Sequence, residues 1–196
     1  MILYYKKNIV NIHNQCMHWR IIMEEKNRNI LISKEEIEEK ITEIGKKISK
    51  DYKDKNLYIL SLLRGSFIFA ADIVRKINVP TKIGFMTTSS YGHKEQSSGN
   101  VKIVNDIPDD IKGYDVIVVD DIVDTGITME FVMNHIKSLG ANSVKSCVLL
   151  DKPERRKVDL APDYSCFTIP DVFVVGYGLN YGDYYRNIPY VFNWKE

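Results

Sequence analysis

Cysteine is scarce in this chain of 196 residues, and the three present, Cys16, Cys147 and Cys166, share no CxxC spacing. A disulfide framework and a zinc cluster are both disfavoured by that pattern, and a reducing cytoplasm fits it best. No apolar run approaches the roughly 18 to 20 residues needed to span a bilayer, so no membrane partner is expected. Charge of one sign is lacking as well: 27 basic residues against 26 acidic ones leave a net +1. That balance gives no broad electrostatic case for nucleic acid or an anionic membrane. The 6 prolines form no linker, and internal repeats and low-complexity tracts are missing. No Gly-Lys-Ser/Thr occurs anywhere, which argues against an ordinary nucleoside-triphosphatase loop. A chain that is 44% hydrophobic and 27% charged is long enough for one domain with a sizeable core.

Residues 1–22 differ from the remainder: Lys6, Lys7 and Arg20 stand there without an acid. They lack the apolar core and cleavage site of a secretory signal. We read them as a disordered or dispensable extension, with residues 23–196 as the single domain and Met23 as a natural start.

The first clear element is a helix after Ser33, where Glu36 completes a capping box. Ile37, Ile41, Ile44 and Ile48 then give one apolar face. Leu57 to Leu63 reads as a buried strand, Phe67 to Ile77 as a helix and Lys82 to Thr88 as a second strand. Residues 89–100 form a polar loop of the length usually found in lids, and Val101 to Ile107 reads as a strand. Met129, Val132, Met133, Ile136 and Leu139 form a helical stripe that Gly140 can end. Val144 to Leu150, the run around Cys166 and Phe173 to Tyr177 have strand character, and Tyr190 to Asn193 is expected as an edge strand. Alternation of strand and helix predicts an α/β fold with a mainly parallel sheet flanked by helices.

The most informative stretch runs from Asp120 to Thr128, Asp-Asp-Ile-Val-Asp-Thr-Gly-Ile-Thr. It follows the apolar run Val116 to Val119 and precedes the helical stripe. In open α/β sheets this junction binds phosphorylated ligands. The free amides at a helix start suit a phosphate dianion, Gly126 permits close approach, and Thr125 and Thr128 offer hydroxyls. The acids remain for a sugar or a metal. The plainer alternative is that Asp or Thr here only caps the helix.

These nine residues resemble the phosphoribosyl pyrophosphate signature of the type I phosphoribosyltransferases. The likeness extends from about Ile30 to Asn193 through Leu62-Leu63-Arg64-Gly65-Ser66, Ser89-Ser90-Tyr91-Gly92, Leu150-Asp151-Lys152-Pro153 and the segment from Asp171 to Leu179. In that order the motifs resemble the bacterial hypoxanthine(-guanine) branch of the family. The resemblance implies a main α/β domain with a small hood built from the chain ends, and purine salvage: transfer of phosphoribose to hypoxanthine, and to guanine, with loss of pyrophosphate. A xanthine-preferring enzyme and a non-catalytic sugar-phosphate-binding regulator are the alternatives. It further implies that Asp120 and Asp121 hold the ribose, directly or through Mg²⁺, while Asp124, Thr125, Gly126, Ile127 and Thr128 cradle the 5′-phosphate. Asp124 is then the general base at purine N7, although a helix-capping aspartate is its bland alternative. Arg64 and Gly65, in a loop whose peptide is often cis in the family, would meet pyrophosphate together with Arg186. Lys152 would read the 6-oxo group, Phe173 stack on the base and the Val174 backbone bond its edge, and Ser90 and Tyr91 would ride on a mobile loop. Asn180 stands where many members carry a metal-binding aspartate, so the second metal would be held more weakly. Family members are usually dimers or tetramers, which implies a homo-oligomer acting on small-molecule substrates.

Overall fold

The computed structural model describes residues 29–90 and 101–194. The expectation for residues 1–22 and the position of Tyr91 therefore lie outside the described residues.

The elements run in chain order as β1 (Asn29–Ile32), α1 (Lys34–Asp51), β2 (Leu57–Leu63), α2 (Phe67–Val74), β3 (Thr81–Ser90), β4 (Val101–Asn105) and β5 (Asp115–Val123). There follow α3 (Ile127–Ser138), β6 (Ser143–Asp151), a 3₁₀ turn (Pro153–Arg155), β7 (Tyr164–Thr168), β8 (Val174–Val175) and β9 (Val191–Asn193). The capping box at α1 is formed: Glu36 N–H donates to Ser33 Oγ at 3.2 Å and Ser33 N–H to Glu36 Oε2 at 2.7 Å. Ile37, Ile41, Ile44 and Ile48 are all buried on the inner face of that helix. The stripe on α3 buries Met129, Val132 and Ile136. Leu139, at its end, is instead exposed, because the helix has stopped at Ser138 and Gly140 turns the chain with φ +89°.

Six strands form the main sheet in the order β4-β3-β2-β5-β6-β7. All pair in parallel except β4, which is antiparallel to β3. Period-two alternation divides each central strand between two cores. Ile59, Ile117, Val119 and Leu149 face α1 and α2, while Leu60, Val116, Val118 and Val148 face α3. Because β2 leads to α2 on one face and neighbouring β5 leads to α3 on the other, the chain parts between the carboxyl ends of these two strands. A crevice opens at such a switch point.

The smaller sheet, β1-β9-β8, is antiparallel and joins the two ends of the described chain. It forms the expected hood with its own cluster of Val175, Tyr185, Ile188, Tyr190 and Phe192. Two expectations need correction. The terminal strand β9 is central rather than at an edge, since β1, too short to stand out in the sequence, pairs along its far side. The strand expected from Phe173 to Tyr177 shrinks to Val174–Val175, because Gly176, Tyr177 and Gly178 have φ of +102°, +47° and +101°, which is incompatible with extended backbone.

Candidate active site

Strand β5 does not end at the acidic pair. It continues to Val123, with Asp120 opposite Val148 and Val123 opposite Asp151. Only Asp124 to Gly126 make the turn into α3. Gly126 is the N-cap, at φ +84°, and no side chain caps the helix. Asp124 is therefore not a helix cap, which removes the bland reading of that residue. A Cβ on Gly126 would stand 2.7 Å from both Arg156 Cδ and Val158 Cγ2, so only glycine fits beneath this turn.

The turn is fastened from below by the segment after β6, a role the sequence did not reveal. Arg156 Nε donates to the Asp124 carbonyl at 3.1 Å and Nη2 to that of Val123 at 3.4 Å, while its guanidinium also bonds the Asp151 carboxylate and the Leu160 carbonyl. Lys152 N–H donates to Val123 O and Lys157 N–H to Thr125 O, each at 2.9 Å. These bonds engage the carbonyls of the turn and leave the first amides of α3, at Ile127 and Thr128, without helical acceptors.

The loop after β2 meets β5 closely. The Leu63–Arg64 peptide is cis. Gly65 lies so near Asp121 that a Cβ would overlap its carboxylate, and Gly178 lies so near the Gly65 carbonyl that a Cβ would overlap that too. Arg186 Nη1 donates to Gly178 O at 2.6 Å, and Gly178 N–H to Arg186 O at 2.9 Å. Gly65, Asp121, Gly178 and Arg186 thus converge in one place, with Arg64 exposed beside them.

Asp120 and Asp121 retain some solvent contact at the crevice mouth, but protein atoms crowd their carboxyl groups. Burial, then the charge of Asp121, pushes the Asp120 carboxyl well above the usual range. Burial raises Asp121 less, since hydrogen bonds and the Arg186 charge favour its ionised form. No group of three or more potential ligands from His, Cys, Asp and Glu occurs among the described residues. Two crowded carboxylates with no third His, Cys, Asp or Glu grouped with them among the described residues fit Mg²⁺, which keeps water and substrate oxygens in its shell. Asn180, partly exposed, turns its side-chain amide toward the Gly182 carbonyl.

On the other side of the turn, Lys152 is buried with its side chain 8% exposed, and its Nζ lies 3.6 Å from Asp171 Oδ1. Arg155 Nη1 approaches the same oxygen at 3.5 Å, and Arg155 Nε reaches Asp124 Oδ1 at 3.0 Å. Neither Asp171 nor Arg155 had been assigned a role from the sequence; a second and third cation just after Lys152 were the available signal. Phe173 is 52% exposed and meets Tyr181 edge-on at 6.0 Å, and Tyr181 stacks on Trp194 at 4.5 Å. Val174 lies in β8, an edge strand whose outward backbone groups have no strand partner among the described residues. Ser90 belongs to the end of β3, paired with Val101, and so is a strand residue rather than part of the loop on which it was expected to ride.

Residues 28–182 match the phosphoribosyl transferase domain family. The chain is 48% identical over 162 residues to a hypoxanthine-guanine phosphoribosyltransferase of Lactococcus lactis, covering 83% of this chain and 88% of that one. It is 45% identical over 172 residues to a hypoxanthine phosphoribosyltransferase of Haemophilus influenzae, covering 86% and 96%. The crystal structure of a Staphylococcus aureus hypoxanthine phosphoribosyltransferase superposes with a TM-score of 0.84 at 38% identity, over 89% of this chain and 95% of that one. With its parallel sheet, hood and switch-point crevice, the chain belongs to the phosphoribosyltransferase family, in its hypoxanthine(-guanine) branch.

Proposed function

We propose that this protein transfers the 5-phosphoribosyl group of phosphoribosyl pyrophosphate to hypoxanthine and guanine, giving IMP or GMP and pyrophosphate. The observation that carries this reading is the convergence at the ends of β2 and β5. There a glycine-capped turn, two crowded carboxylates and the Gly65 loop share one crevice with the buried ammonium of Lys152.

The phosphate sits on the first amides of α3, with the hydroxyls of Thr125 and Thr128 beside it. Asp120 and Asp121 hold the ribose hydroxyls. Arg64, Gly65 and Arg186 receive the pyrophosphate, whose departure from ribose C1 leaves positive charge on the sugar for the purine nitrogen to take up. Asp120 and Asp121 would also hold Mg²⁺, which would supply positive charge to offset that of the leaving group. Asp124 takes or shares the proton at purine N7. Lys152 donates to O6, which adenine's amino group cannot accept, while Phe173 covers the base and the β8 backbone bonds its edge.

We further propose that the protein self-associates through the outer part of β3. Ile83 and Phe85 alternate with buried Met86 and lie beyond the cover of α2, and together with Phe67 they are 44–51% exposed. An apolar patch of this kind marks a contact surface. Residues 23–196 form the transferase domain, and residues 1–22 are dispensable to it. The buried free thiols of Cys147 and Cys166 accord with a reducing cytoplasm.

Turnover with hypoxanthine, guanine, xanthine and adenine, each with phosphoribosyl pyrophosphate and Mg²⁺, tests the reading. Hypoxanthine and guanine should react far faster than adenine. A xanthine preference, or binding of the sugar phosphate without any product, would replace it with one of the alternatives. Sedimentation of the full chain and of a chain starting at Met23 tests the two structural proposals, each expected to give the same oligomer.

A further inference from the structure

We infer that Arg155 is a positioning residue for the transfer, aiming the Asp124 carboxylate at the purine and tying it through Asp171 to the ammonium of Lys152. This rests on the roles proposed above for Asp124 and Lys152. The four groups come from three parts of the chain: the turn after β5, the stretch from the end of β6 into the 3₁₀ turn, and the loop before β8. Arg155 bridges the two carboxylates, with Nε 3.0 Å from Asp124 Oδ1 and Nη1 3.5 Å from Asp171 Oδ1, the oxygen that also faces Lys152 Nζ at 3.6 Å. The two protein groups that a 6-oxopurine would meet at N7 and O6 are thereby joined through one guanidinium.

The bridge is poorly suited to a purely stabilising role. The side chains of Arg155, Asp124 and Asp171 are 41%, 37% and 45% exposed, and ion pairs this open to water contribute little to folding. Their geometry also leaves capacity at the reacting group. Asp124 Oδ1 is itself enclosed yet accepts no hydrogen bond among the described residues, because the Arg155 contact is close without being aligned. The carboxylate is held through the enclosed Oδ1, while the side chain as a whole stays 37% exposed and so open to an incoming base. A planar guanidinium can span two carboxylates through different nitrogens, whereas a lysine ammonium is a single point.

The test uses the full chain with Mg²⁺, phosphoribosyl pyrophosphate and hypoxanthine. Arg155→Gln should lower kcat about tenfold, below the roughly 10²- to 10⁴-fold that a general base supplies. KM for phosphoribosyl pyrophosphate should stay within about twofold, since the sugar-phosphate contacts are untouched. Arg155→Lys should fall between the two. In an Asp124→Asn background, Arg155→Gln should have no further effect on kcat, because its action passes through the carboxylate already removed. A kcat for Arg155→Gln equal to that of the parent, or the same proportional loss in both backgrounds, would overturn the inference. A parent protein that converts no purine would instead remove the functional reading beneath it.

Discussion

Gly65 and Asp121 are packed so tightly that the glycine's missing side chain is the space the carboxylate occupies. The contact joins the loop after β2 to the carboxyl end of strand β5, and so fixes the spacing between that loop and the acidic pair. Gly65→Ala should cost about 1–3 kcal/mol of stability through overpacking and sharply reduce kcat/KM for phosphoribosyl pyrophosphate. Combining it with Asp121→Ala should restore the melting temperature without restoring activity. Recovery of both would mean that the contact serves packing alone.

Asp124→Asn should leave the fold intact, since the helix behind it is capped by Gly126 without any side-chain bond. Its kcat should fall by roughly 10²- to 10⁴-fold, the usual worth of general catalysis, with KM for phosphoribosyl pyrophosphate nearly unchanged. A loss of about 1 kcal/mol in stability with full turnover would be the signature of a cap instead. Steady-state kinetics and thermal melting distinguish the two.

Local signals carried much of this architecture. Ser33 and Glu36 announced α1, apolar runs announced β2 and β5, and the polar residues from Asp124 to Gly126 announced the turn into α3. The hood was read less well because its contacts are distant in sequence: Asn29 pairs with Asn193, and neither short strand has periodicity enough to reveal the other. The Arg155 bridge escaped for the same reason. Its carboxylates lie 31 and 16 positions away, at Asp124 and Asp171, and the parallel pairing of β5 with β6 and of β6 with β7 brings them together.

Lys152 is nearly enclosed, and Asp171 balances its charge from a distance of 3.6 Å. Its ammonium can donate to a carbonyl but has nothing to accept from an exocyclic amine. Lys152→Gln supplies both a donor and an acceptor, so it should lose about tenfold or more in kcat/KM for hypoxanthine while narrowing the gap to adenine, as expected where a site stops favouring one hydrogen-bonding group. The purine panel measures this directly. An unchanged preference would move 6-oxo selection away from Lys152.

Asn180 donates its amide to the Gly182 carbonyl. Asn180→Asp removes that bond, at a cost of about 1 kcal/mol, but adds a formal charge suited to a hard cation. The variant should reach half-maximal rate at a lower Mg²⁺ concentration than the parent. Identical Mg²⁺ titrations would take this position out of metal binding altogether.

Asp120 makes an opposite trade between stability and function. Burial, and then the neighbouring charge of Asp121, raise its carboxyl above the unfolded value, which for aspartate is about 3.9. A group raised in the folded state contributes stability that is fully present below the unfolded pKa and is lost as pH rises through the folded one. Without Mg²⁺ or substrate, the parent protein should therefore lose stability across that window as Asp120 is forced to ionise beside Asp121. Asp120→Asn keeps the shape and removes the charge, so its advantage in urea midpoint should be absent near pH 4 and grow toward neutrality. Turnover should fall at the same time, because the ribose loses an ionised acceptor. A stability difference that is flat with pH would mean that neither burial nor the charge of Asp121 raises the Asp120 carboxyl in the resting site.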